Sequence, residues 1–181
     1  MLASLMASVL IFAGLLVLGY SFLIGDPFAT AALFTRDAPH DSTMKLTIPE
    51  MQHVRDVPVY DGPMSDEAAL HDGALHINST GFPWQQGSNV YIAGHRLGFP
   101  GTKSNLLFWD LDKLQNGDKV TLTDANGTRY TYTVFKKFVT DPMNTSVLQP
   151  LPGRNIVSLQ TCTLPTYSQR LIVQAELTSV S

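Results

Sequence analysis

The chain has 181 residues, 44% of them hydrophobic and 15% charged, with a formal net charge of −3 at pH 7. That much apolar side chain excludes a wholly disordered polymer, because burial can offset the entropy of ordering. A nucleic-acid footprint is excluded as well: Lys136-Lys137 is the sole adjacent basic pair, and no basic stripe is present.

Residues 1–25 carry no charged side chain, and Leu5 to Ile24 is an almost unbroken apolar run of 20. A run of that length crosses the hydrocarbon core of a bilayer as a helix. The expectation is an uncleaved, single-pass signal-anchor over 1–25, with the rest of the chain extracellular. A cleaved signal peptide, with Ala29-Thr30-Ala31 as its small-residue site, is the alternative, although the run exceeds a usual h-region. Residues 26–43 mix Pro, Ala, Asp and Thr and read as a linker to one domain over 44–181.

From Met44 onward, short β-type runs are broken by turn residues. Lys45 to Ile48 and Val57 to Tyr60 are brief strands, and Ser65 is the expected N-cap of a helical turn through Leu70. Asn89 to His95 is a strand, and Phe108 to Leu114 is a short helix closed by Asn116-Gly117. Asp118 to Thr123 and Arg129 to Val139 flank Asp124-Ala125-Asn126-Gly127, a strong hairpin signal. The last pair runs Asn155 to Cys162 and Arg170 to Thr178. Many short strands with few helices predict a mostly β fold, a closed barrel of seven to eight strands.

Cys162 is the single cysteine, so it has no internal disulfide partner. It ends one strand, and Arg170 begins the next, eight positions on. Period-2 alternation places Val157 and Leu159 on one face, with Ser158, Gln160 and Cys162 on the other. The same rule sets Val90 and Ile92 inward and Tyr91, Ala93 and His95 outward. Leu171, Val173, Ala175 and Leu177 face in, so Arg170 faces out. His95, Cys162 and Arg170 therefore leave the core side together. A thiolate is a nucleophile, an imidazole can generate it or protonate a leaving amine, and a guanidinium can stabilise an oxyanion. A small buried structural cysteine is the competing reading. No HExxH, paired CxxC, Walker loop or G-x-S-x-G is present, so no metal or cofactor is called for. His71, Asp72 and His76 read as a solvated polar stretch, His40 and His53 as incidental, and Trp84 and Trp109 as packing.

Ser158-Leu159-Gln160-Thr161-Cys162 resembles the T-L-x-T-C motif of sortases. Asn89-Val90-Tyr91-Ile92-Ala93-Gly94-His95-Arg96 is similar to that family's strand ending in A-G-H, and Arg170-Leu171-Ile172-Val173 to its R-L-I-V strand. The resemblance spans about residues 44 to 178. It implies a membrane-anchored transpeptidase with a sortase barrel, most like the class E enzymes of actinobacteria. It further implies Cys162 as nucleophile, His95 as acid/base and Arg170 as oxyanion or substrate-orienting group. Thr161 would join them through its backbone amide or hydroxyl. The implied substrate is an LPxTG-like or LAxTG-like sorting signal on a surface protein, cut between Thr and Gly. The acceptor would be an amine of a cell-wall precursor or a pilin. Hydrolysis by a thiol peptidase and non-catalytic peptide binding are the alternatives. Asp26-Pro27-Phe28 resembles the lid of pilin-polymerising relatives but abuts the apolar run, where a helix-ending Asp-Pro explains it as well. The loop Thr140 to Arg154 is the expected seat of specificity.

Overall fold

A computed structural model of the protein describes residues 38–181. The proposed anchor over 1–25, the Asp26-Pro27-Phe28 segment and the linker up to residue 37 lie outside the described residues. Eight strands follow in chain order: β1 (Met44–Thr47), β2 (Val57–Gly62), β3 (Ala74–Ile77), β4 (Asn89–Ala93), β5 (Lys119–Asp124), β6 (Arg129–Thr140), β7 (Ile156–Cys162) and β8 (Arg170–Val180). They close into one barrel in the order β1-β2-β3-β4-β7-β8-β6-β5. One short helix, α1 (Glu67–Asp72), and two 3-10 turns, Leu111–Lys113 and Thr145–Leu148, complete the regular structure among the described residues.

The inward alternation holds. Val90, Ile92, Val157, Leu159, Leu171, Val173, Ala175 and Leu177 all lie in the main core, with Leu46, Leu122 and Phe108. Full burial of one such large aliphatic side chain contributes roughly 1.5–3 kcal/mol, so this face dominates the choice of register. Asp124 organises the β5–β6 hairpin: its Oδ1 accepts from the amides of Asn126 and Thr128, both at 2.9 Å. Gly127 there sits at φ +85°, where a β-carbon is strained.

Two pairings are parallel, β2 with β3 and β4 with β7. The second governs the site. Ala93 pairs with Gln160, and two residues further on lie His95 and Cys162. Parallel strands point their C-terminal ends the same way, so both residues emerge at one end of the barrel.

Three expectations change. β3 was not foreseen, because Ala74-Leu75-His76-Ile77 is buried on both faces and shows no alternation. Its outer side joins a second apolar cluster of Leu75, Ile77, Tyr91 and Ile172, covered by Ala69 and Leu70 of α1 and by Val147 and Leu148. The helix cap is Asp66 rather than Ser65: its Oδ1 accepts from the amide of Ala69 at 3.0 Å. Phe108 to Leu114 does not form a regular helix. The Phe108 amide donates instead to the carbonyl of His95 at 2.8 Å, tying this segment to the end of β4.

Candidate active site

Cys162 closes β7 and pairs with Arg170, the first residue of β8. The connecting loop is pinched at its base. The Thr163 amide donates to the Gln169 carbonyl at 3.0 Å, and the Gln169 amide donates to Thr163 Oγ1 at 3.2 Å. Arg170 NH1 donates to the carbonyls of Tyr167 (3.1 Å) and Gln169 (3.2 Å). The cation thus braces the loop, while a guanidinium with five N–H donors keeps capacity for a substrate oxygen. Tyr167 sits at φ +56°, held by its amide bond to the Thr163 carbonyl at 2.9 Å. A non-glycine residue there costs on the order of 1 kcal/mol, which the pinched loop sustains.

His95 is held from its backbone outward. Gly94 donates its amide to Gln160 at 3.0 Å, and its carbonyl accepts from the Thr161 hydroxyl at 2.8 Å. A β-carbon on Gly94 would lie 2.7 Å from the Phe108 ring, so only glycine lets the chain pass there. A β-carbon on Gly98 would come within 3.0 Å of the His95 imidazole. The ring also meets Phe99 edge-on, with centroids 6.2 Å apart and planes at 87°. Its Nε2 is buried with no hydrogen-bond partner. Burial pushes the His95 imidazole below its usual value; neighbouring His71 adds to the fall and Glu67 opposes it. The resting ring is therefore biased towards the neutral form, which can accept a proton.

His95 and Cys162 line one cavity of about 240 Å³, rimmed by Leu97, Phe99 and Tyr167. Its rim side chains are apolar and stand exposed at the surface, so the cavity is open to an incoming chain. Arg96, next in the chain, is paired with Asp112 at 2.6 Å. Behind this end, the Tyr91 hydroxyl donates to Gln160 Oε1 at 2.7 Å. Burial pushes that hydroxyl up, and the Arg170 charge partly offsets the rise. A larger cavity, about 550 Å³, lies at the other end of β4 beside Ser79, Gln85, Ser88, Asn89 and Gln149. It holds neither thiol nor imidazole, so the smaller one is where reaction chemistry is available.

Of the residues singled out from sequence, Cys162 and His95 share the cavity, and Arg170 lies directly across from Cys162 in the ladder. Thr161 is buried, with its hydroxyl committed to the Gly94 carbonyl, so that oxygen links the two site strands. His76 corrects the expectation of a solvated stretch: it is fully buried in β3. Its Nδ1 meets Asp61 Oδ1 at 2.7 Å, and its Nε2 meets the Gly81 carbonyl at 3.0 Å and Thr80 Oγ1 at 3.2 Å. His71 is part-buried rather than freely solvated; its Nε2 is buried without a partner, and its ring packs edge-on against Phe99 at 5.1 Å. Reading the sequence missed His71, Leu97, Gly98, Phe99 and Tyr167. The one available signal was Leu97 and Phe99, apolar residues inside a Gly/Pro loop that no strand pattern absorbs.

A closed eight-strand barrel with a thiol and an imidazole at one rim defines the class of protein. Comparison with known proteins gives the family. The family model of the sortase domain matches residues 46–178. A sortase A of Streptococcus agalactiae serotype III is 32% identical over 134 residues, covering 73% of this chain and 51% of that protein. Among solved structures, a lid mutant of sortase A from Corynebacterium diphtheriae superposes with TM-score 0.67 at 27% identity, covering 80% of this chain and 74% of that one. Sortase C-3 from Streptococcus pneumoniae gives TM-score 0.66 at 30% identity, covering 80% and 66%. The chain belongs to the sortase family. It spans about half the length of the curated sortase A that it matches.

Proposed function

We propose that this protein is a cysteine transpeptidase that joins surface proteins to an amine acceptor. The observation that carries the reading is the shared cavity of Cys162 and His95 beside Arg170. Cys162 Sγ attacks the Thr carbonyl of a sorting signal, and its proton passes to His95. The tetrahedral oxyanion is met by Arg170, for which a guanidinium's planar donors are suited. His95 returns the proton to the departing glycine amine, leaving a Cys162 thioester. An acceptor amine then attacks the thioester carbonyl, His95 takes the amine proton, and Cys162 leaves as thiolate to regain it. The acceptor is an amine of a cell-wall precursor or a pilin lysine.

The signal is of LPxTG or LAxTG type, and the short Cys162-to-Arg170 loop with R-L-I-V at 170–173 supports a class E assignment. The apolar run Leu5 to Ile24 supports a single-pass anchor with the barrel outside the cell.

Intact-mass measurement of the full chain with each peptide is the direct test. The expected result is a mass increase equal to the fragment ending in Thr, absent in Cys162→Ala, and released faster by added amine than by water. No adduct with either peptide, on folded and reduced protein, would sink the transpeptidase reading.

A further inference from the structure

His95 has a second imidazole behind it. The rings of His71 and His95 lie 6.2 Å apart at 32°, and both pack edge-on against Phe99. Both Nε2 atoms are buried without a hydrogen-bond partner. His71 is also fixed in place. The Ser104 amide donates to its carbonyl at 3.3 Å, and the Ser104 hydroxyl bonds the Leu70 carbonyl, clasping the end of α1 to the loop that follows His95. A structural histidine uses its ring nitrogens, as His76 does; His71 leaves its buried Nε2 unpaired beside the His95 ring, which its edge-on packing against Phe99 does not account for.

We propose that His71 is a positioning residue for His95, walling its ring into the cavity and disfavouring a positive charge on it. The inference rests on the acyl-transfer reading above. The titratable and charged groups around His95 are Glu67 and His71 on α1, Arg96 beside it in the chain, and Cys162 and Tyr167 across the cavity, with Arg170 behind Cys162. Among these, His71 is the second imidazole, its ring centroid 6.2 Å from that of His95. Like charges this close repel, so a second imidazole disfavours the imidazolium at His95. The transferred Cys162 proton is then held on His95 at a strength suited to release to the leaving amine. The direction of the His95 shift, with His71 among its causes, agrees.

The test compares the full-length wild type with His71→Ala, His71→Gln and His71→Phe. It reads thioester formation from an LPxTG peptide against pH, and the His95 imidazole titration by NMR, assigned with His95→Gln. His71→Ala should lower kcat about tenfold with KM within about twofold, because a displaced ring loses alignment rather than substrate affinity. His71→Phe keeps an aromatic wall without a titrating nitrogen. It should retain most of kcat, raise the His95 midpoint and carry the acid limb of the profile with it. If His71→Ala fails to fold, the Phe and Gln variants decide. A His95 midpoint and acid limb unmoved in folded His71→Phe and His71→Gln would overturn the inference, even if kcat fell. A wild type that forms no thioester would remove the acyl-transfer reading, while the NMR midpoints would still decide the coupling of the two rings.

Discussion

Two histidines on neighbouring strands of this barrel meet opposite treatment. His76 in β3 is sealed from solvent, and both its ring nitrogens have polar partners. His95, just past the end of β4, is part-buried, yet its Nε2 is buried and unpartnered. Leaving a buried polar atom unpaired costs about 1–3 kcal/mol, so the fold retains an unfavourable arrangement at one imidazole and avoids it at the other. The difference separates a histidine that holds strands together from one kept free to exchange a proton.

Exchange experiments break or sharpen that contrast. The largest effect belongs to the free imidazole and its thiol: His95→Ala and Cys162→Ala should each lower thioester formation at least about a thousandfold. Each should leave the urea midpoint nearly unchanged, since neither side chain has an internal hydrogen bond to lose. Arg170→Lys comes next, losing most turnover, because an ammonium replaces a planar fork that also braces the Tyr167 and Gln169 carbonyls. Near-normal rates would make Arg170 purely structural. His76→Ala should do the reverse of His95→Ala, costing about 2 kcal/mol or more in denaturant unfolding while the folded fraction keeps its specific activity. Thr161→Val should cost about 1 kcal/mol by cutting the bond to the Gly94 carbonyl. The smallest effect is on pH dependence. The folded His95 value lies below the unfolded one, so its contribution is fully present above about pH 6.5 and lost as pH falls through the folded value. Melting temperatures at pH 7 and pH 5 should differ slightly less in His95→Gln than in wild type.

The inner face of the barrel was legible because alternation at Val157, Leu159, Val173 and Ala175 reports directly on burial. That the thiol, imidazole and guanidinium leave the core together followed from the same period, and the motifs placed them in order along the chain. What alternation cannot encode is pairing at a distance. The parallel match of β4 to β7 brings His95 beside Cys162 from 67 positions away, and no local signal announces it. β3 was invisible because both its faces are buried: Leu75 and Ile77 join one apolar cluster and Ala74 the other, and the polar His76 is buried with them. His71 was mistaken for a solvated residue for a related reason: its burial comes from Phe99 and the Ser104 clasp, some 30 residues on. Gly94 enters the sequence reading only as part of a motif and Gly98 not at all; their reasons are the Phe108 ring and the His95 ring.

The paired bonds between Thr163 and Gln169 make the segment between them a detachable cassette. Ring size within it can change while the ladder below, from Cys162 and Arg170 down β7 and β8, keeps its register. A library built at 164–166 and 168, with Tyr167 kept because its carbonyl accepts from Arg170, would vary the loop beside the cavity while the ladder keeps its register.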